Sequence, residues 1–337
     1  MRLLGSRPFH AESGLGPKAC WGSAVTINVV VELRTTNGPV ELVYERLGPE
    51  QGEPLLLIIG AAVSMILWPA GFLDALIAQG FQVTRFDNRD SGHSTHLDGV
   101  TAPSTFKVLR ALGSKRTRKD MAAPYRLEDM ADDTVSVLDA VGWESAHLVG
   151  MSLGAAIAQM VCSRHPQRVR TLVSISTAPP DFRMAPLSFK SIRLLTLVSR
   201  RPKDAEEFAT RAIKFAKITG SPAYPTDEAE LRRNARAEYE RFQGSGGNRR
   251  QGLALMASGN RRAMLKSLDV PTLVIHGDKD ILAPLKGSKL VAEAIPGARL
   301  LIIPGMGHDL PRGLWPRLAE EIADLAFSDR DRNADAT

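Results

Sequence analysis

Cysteine is scarce in this chain. Cys20 and Cys162 are the two in 337 residues, too few and too far apart for a disulfide framework or a set of metal ligands. That scarcity fits a reducing compartment, so a cytoplasmic location is expected, with no metal and no other cofactor. A continuous apolar run is missing as well. Residues 1–24 lack the hydrophobic core of a secretory leader and read as a flexible extension. Leu55 to Leu73 holds no charged residue and is long enough on paper to cross a bilayer. Gly60, Ser64, Pro69 and Gly71 nevertheless divide it into a buried strand, a loop and a helix start. Internal repeats and low-complexity tracts are absent. With 44% hydrophobic and 24% charged residues, the chain has the composition of a globular protein able to bury a sizeable core.

Charge is unevenly spread. The net charge is +6, yet residues 181–268 carry 18 Lys or Arg against 9 Asp or Glu, and residues 105–126 carry seven against one. The rest of the chain is therefore acidic. No recognition motif accompanies the basic residues, so no nucleic-acid partner is expected. Phe106-Lys107-Val108-Leu109-Arg110-Ala111-Leu112 mixes apolar and basic residues as a membrane-surface helix would. Peripheral contact with an anionic membrane is one expectation from this; a solvated basic surface is the other.

Strands alternate with helices along most of the chain. Val25 to Leu33 and Val40 to Arg46 are β-rich runs joined at Thr35 to Pro39, where Asn37-Gly38 signals a hairpin. Leu55 to Ile59 is uniformly apolar, as a strand buried on both faces must be. Phe81 to Phe86, His147 to Val149, Thr171 to Ser176, Thr272 to His276 and Arg299 to Ile303 complete eight strands. Helices are predicted at Trp68 to Gln79, Leu127 to Val141, Ser152 to His165, Pro284 to Ala294 and Leu314 to Phe327. This alternation predicts an α/β fold, with a mostly parallel eight-stranded sheet covered by helices on both faces. Between Pro180 and Leu268 the alternation stops. Helical patches at Ser188 to Ser199, Asp204 to Ile218 and Asp227 to Phe242 are followed by the break Gly244-Ser245-Gly246-Gly247. The predicted organisation is a core at 25–180 and 269–328, a helical cap at 181–268, and a disordered tail at 329–337. Such a cap is expected to cover Ser152, and its deletion to change chain-length preference while sparing short esters.

Gly150-Met151-Ser152-Leu153-Gly154 lies between a strand and a helix, the context of a nucleophile elbow. Three fixed positions match by chance in about one chain in ten of this length, so the motif gains weight only from its surroundings. Two later loops supply them. Thr272 to His276 is followed by Gly277-Asp278-Lys279-Asp280, and Arg299 to Ile303 by Pro304-Gly305-Met306-Gly307-His308. A serine nucleophile needs a base to take its proton, an acid to orient that base and donors for the oxyanion. All three loops leave the carboxyl ends of strands, where such sheets build their sites.

With Asp87 to Ser94, these stretches resemble the α/β-hydrolase superfamily over about Val25 to Phe327. Pro304 to His308 and Trp68-Pro69 look like its subgroup of esterases and lipases that contains aclacinomycin methylesterase. The resemblance implies that Ser152 is the nucleophile, Asp280 the acid and His308 the base. Asp278 reads as a turn carboxylate and His276 as structural, while His93 and His96 precede the elbow, in the wrong place for the base. The oxyanion donors implied are the main-chain N–H groups of Leu153 and Ala61, with Ala62 as the alternative. The family often has His-Gly at that loop; this chain has Ile59-Gly60-Ala61-Ala62. The implied activity is hydrolysis of a small-molecule ester or lipid through an acyl-enzyme, with phospholipids and thioesters inside the same chemistry. A perhydrolase (non-haem haloperoxidase) shares the triad, and a non-catalytic ligand-binding module shares the fold. Dehalogenases and epoxide hydrolases place an aspartate at the elbow and are disfavoured.

Overall fold

Leu55, Leu56, Leu57 and Ile58 have no exposed surface. They belong to β3 (Glu53–Ile58). Leu55 and Leu57 join an apolar layer with Trp68, Phe72 and Leu318, and Leu56 and Ile58 join a second layer with Leu138, Ile157 and Val291. A strand apolar on both sides requires helices on both sides, and the computed structural model supplies them. It describes residues 32–100, 123–177, 202–241 and 246–334. The N-terminal extension, most of the basic segment 105–126 and the helix predicted at Ser188 to Ser199 lie outside the described residues.

The sheet also contains β1 (Leu33–Asn37), β2 (Val40–Leu47), β4 (Phe81–Phe86), β5 (Ala146–Met151), β6 (Val169–Ile175), β7 (Thr272–Gly277) and β8 (Arg299–Ile303). Their spatial order is β1-β2-β4-β3-β5-β6-β7-β8. β1 and β2 pair antiparallel, as do β2 and β4; all later neighbours are parallel. The hairpin is tighter than predicted. Asn37 pairs with Val40 across Gly38-Pro39, and Thr35 and Thr36 are strand, consistent with their β-branched side chains.

Helices α1 (Ala70–Ala78), α2 (Leu127–Ala140), α3 (Leu153–Arg164), α8 (Leu285–Ala294) and α9 (Trp315–Ala334) flank the sheet. Between β6 and β7 comes a helical insert of α4 (Ala205–Thr219), α5 (Glu228–Arg241), α6 (Gly247–Ala257) and α7 (Arg262–Leu265). α6 and α7 lie inside the predicted helical cap but were not picked out as separate helices, because Arg250, Gln251 and Arg261 are buried and their polarity masks the apolar period. One expectation needs correction. The tail at 329–337, predicted disordered, is helical as far as Ala334; a helix nucleated on buried turns continues through polar residues.

Candidate active site

The parallel strands bring the carboxyl ends of β3, β5, β7 and β8 to one edge of the sheet, and the three loops predicted to matter leave that edge. Ser152 stands between β5 and α3 with φ 54° and ψ −114°. A non-glycine residue held there costs about 1–3 kcal/mol. Its own N–H donates to Ile175 O at 2.9 Å, which helps hold the turn. The flanking glycines are sterically required. A Cβ on Gly154 would lie 1.9 Å from Ile58 O, and one on Gly150 would lie 2.4 Å from Gly154 O. Ser152 therefore sits at the first turn of α3, where the dipole favours negative charge.

His308 and Asp280 meet. His308 Nδ1 lies 2.7 Å from Asp280 Oδ2. The Asp280 side chain is 0% exposed and that of His308 12%. Asp280 Oδ1 also accepts from Leu282 N at 2.8 Å and Ala283 N at 2.9 Å. Burial penalises the Asp280 charge, but His308, the Ala283 N–H and nearby His276 outweigh it and hold the carboxyl below its ordinary value. Asp278 instead accepts from Gly305 N at 2.6 Å and faces Lys279 at 3.2 Å. His276 is fully buried, with Nδ1 2.7 Å from Ser288 Oγ and Nε2 3.0 Å from Ala283 O. His93 contacts Glu32 and His96 the carbonyl of Gly92, outside this constellation. Among the described residues no hydrogen bond joins Ser152 to His308. Such bonds are often long until substrate binds.

The insert grips the histidine loop. His308 N donates to Thr219 O at 2.7 Å, in the last residue of α4. Gly307 N donates to Ser221 Oγ at 2.8 Å, and Ser221 Oγ donates to Asp309 Oδ1 at 2.5 Å. Burial raises the Asp309 carboxyl above its ordinary value, so a proton is held more readily beside His308 than in water.

Gly60 lies against Ser152: a Cβ there would be 3.5 Å from Ser152 Cβ. The N–H groups of Ala61 and Leu153 have no acceptor among the described residues. Ala62, the alternative donor, is taken: its N–H donates to Gln251 Oε1 at 2.8 Å, and its φ is 64°.

A buried polar network lies beside that loop, and its partners could not be read from the sequence. Asp87 accepts from Met65 N at 2.7 Å and Arg241 Nη2 at 2.5 Å. Asp90, with φ 68°, accepts from Arg250 Nε and Nη2 at 2.8 and 2.6 Å and from Tyr125 OH at 2.7 Å. Burial opposes the Asp90 charge, yet Arg250, Leu97 N–H and Tyr125 hold it below its usual value. Glu238 accepts from Ser64 N at 2.8 Å and Ser64 Oγ at 2.5 Å, and burial raises its carboxyl. Arg241 ends α5 while Arg250 and Gln251 lie in α6, so no helical repeat links them, and the acidic turn they meet is more than 150 residues earlier. Among the described residues no group of His, Cys, Asp and Glu is arranged to hold a metal ion.

Residues 53–311 match the family described as alpha/beta hydrolase fold, so the chain belongs to that family. It is 28% identical over 310 residues to a rhodomycin D methylesterase of Streptomyces peucetius, and 30% identical over 308 residues to a rhodomycin D methylesterase of Streptomyces sp. strain C5; each alignment covers 85% of this chain and 95% of the relative. Its fold is similar to that of a meta-cleavage product hydrolase from Pseudomonas fluorescens IP01, with TM-score 0.65 and 20% identity over 88% of this chain and 98% of that one.

Proposed function

We propose that this protein is a serine hydrolase of carboxylic esters in which Ser152, Asp280 and His308 form the triad. The observation that carries the reading is the 2.7 Å contact between His308 Nδ1 and Asp280 Oδ2, at the sheet edge that also holds a serine in strained backbone geometry. Ser152 Oγ attacks the ester carbonyl as His308 Nε2 takes its proton. Asp280 accepts from Nδ1–H and stabilises the imidazolium. The Ala61 and Leu153 N–H groups receive the oxyanion. His308 then protonates the leaving alcohol, and water, deprotonated by the same imidazole, releases the acid from the acyl-enzyme.

The two relatives are methylesterases by name, which favours a methyl ester of a small-molecule acid as the substrate. Residues 181–268 act as the cap between the core segments. Phospholipids, thioesters and contact with an anionic membrane are a broader version, supported by the basic excess of residues 105–126 and 181–268. The test is a fluorophosphonate probe on the wild type and on Ser152→Ala, with methyl and p-nitrophenyl esters of increasing chain length. Labelling lost in Ser152→Ala and turnover of at least one ester series are expected. No labelling and no turnover would leave a ligand-binding module. Bromination in acetate and peroxide would favour the perhydrolase.

A further inference from the structure

Among the described contacts, two side chains of the insert bond to the main chain of the loop after β3: Glu238 at Ser64 N, and Gln251 at Ala62 N, next to the proposed oxyanion donor. Gln251 is fully buried. Its Oε1 accepts from Ala62 N at 2.8 Å, while its Nε2 donates to Arg89 O at 2.9 Å and to Ser91 Oγ at 2.8 Å. The orientation of the amide follows from these partners, because an N–H faces one end and a carbonyl the other. From α6, one side chain ties the loop after β3 to the turn after β4.

We infer that Gln251 is a positioning residue for the oxyanion hole. This rests on the reading that Ala61 N–H is an oxyanion donor. The geometry carries it as follows. Ala62 N belongs to the peptide plane that follows Ala61, so its bond to Gln251 sets the ψ angle of Ala61. It also helps hold Ala62 at φ 64°, a conformation an alanine leaves when nothing holds it. On the other side Asn88 Nδ2 donates to Ile59 O at 3.0 Å. The loop is thus clamped before Gly60 and after Ala61, and Ala61 N–H has no acceptor among the described residues. Ala61 N–H lies in the Gly60–Ala61 plane, between these two clamped planes; without the Gln251 clamp the following plane rotates, Ala62 relaxes to negative φ, and the plane that carries Ala61 N–H loses its support and its aim. Gln251 touches neither substrate nor reacting atoms in this scheme; it acts through the main chain. Oxyanion stabilisation thereby depends on α6 being seated against the core.

The experiment compares wild type with Gln251→Met, similar in length and unable to make these bonds, and with Gln251→Asn, one methylene shorter. Active enzyme is counted by titration of Ser152 with a slow phosphonate, so that misfolded protein drops out of the rates. Three quantities are read with a short p-nitrophenyl ester: kcat, KM, and Ki for an alkyl boronic acid, whose tetrahedral serine adduct places an oxygen in the oxyanion hole. We expect kcat per active site to fall about 10- to 100-fold, short of the 10²–10³-fold loss on deleting a donor outright. KM should change less than about threefold. The boronate Ki should rise by a factor similar to the fall in kcat, as for an interaction made only in the transition state. A merely structural role would lower the titrated fraction and leave kcat per active site and Ki alone. That result, or a rise in KM at constant kcat, would overturn the inference. If Gln251→Met cannot be recovered, Gln251→Asn is judged by the same three quantities. Failure of the ester reading looks different, because wild type itself would then lack turnover and Ser152 labelling.

Discussion

Asp278 and Asp280 are two residues apart in one loop, and their hydrogen bonds separate them. One caps the main chain at Gly305; the other faces His308. On the proposed mechanism, Ser152→Ala, His308→Ala and Asp280→Asn each lower kcat by about 10⁴-fold or more, and the triple variant is little worse, because the three act as a unit. Asp278→Asn should cost far less, and steady-state kinetics on one short ester decides; a larger loss at Asp278 would reverse the assignment. Glu238 offers a second test at this scale. Its carboxyl is raised by burial above the ordinary value of 4.5. Below that value it is protonated in both folded and unfolded chains. As pH climbs from 4.5 through the folded value, the unfolded chain ionises first and the wild type loses stability. Glu238→Gln can keep an acceptor for Ser64 N and has nothing to ionise. Its melting temperature relative to wild type should therefore rise between pH 4 and pH 8. A gap that shrinks over that range would sink the argument.

The insert holds the loops around the site. His308 N and Gly307 N are bonded to Thr219 O and Ser221 Oγ, and Ala62 N to Gln251. A cap that only shaded Ser152 could be removed with short-ester turnover intact, which is what the sequence led us to expect. These bonds argue otherwise. Deleting residues 202–268 should lower turnover of p-nitrophenyl acetate by at least about 100-fold per folded molecule, the scale of losing an oxyanion donor. Retained turnover would return the insert to a cover. Legibility in the sequence follows the same division. β4 (Phe81–Phe86) and β8 (Arg299–Ile303) have the boundaries predicted, because turn residues bracket them: Gly80 and Asp87-Asn88 around β4, Gly297 and Pro304-Gly305 around β8. α6 was not picked out, because its inward face carries Arg250 and Gln251, whose partners lie in other loops.

Over the whole molecule, the basic insert meets an acidic core. The sequence concentrates its positive charge in residues 105–126 and 181–268. The structure turns part of it inward. Arg241 contacts Asp87 and Glu32, and Arg250 contacts Asp90 and Asp98; both arginines are buried. Buried pairs are screened little by salt, whereas attraction between exposed charge and a membrane fades beyond about 10 Å at 0.1 M. No helix among the described residues is long and apolar enough to cross a bilayer. If the remaining basic surface docks on lipid, co-sedimentation with anionic vesicles should be strong at low salt and mostly gone at high salt, with the melting temperature nearly unchanged. Binding equal for anionic and zwitterionic vesicles, or absent from both, would remove the lipid partner.

Local pattern alone determined the alternating strands and helices, the strained serine turn, and the loops that carry a carboxylate and a histidine. Each of these is written in consecutive residues, as a run of one polarity or a turn with fixed glycines. Tertiary structure decided which carboxylate faces His308, which alanine N–H stays open, and which polar side chains are buried between insert and core. Gln251 and Ala62 are 189 residues apart, and Arg250 and Asp90 160. A buried polar group must find a partner wherever the fold brings one, and no window of sequence contains both ends of such a bond.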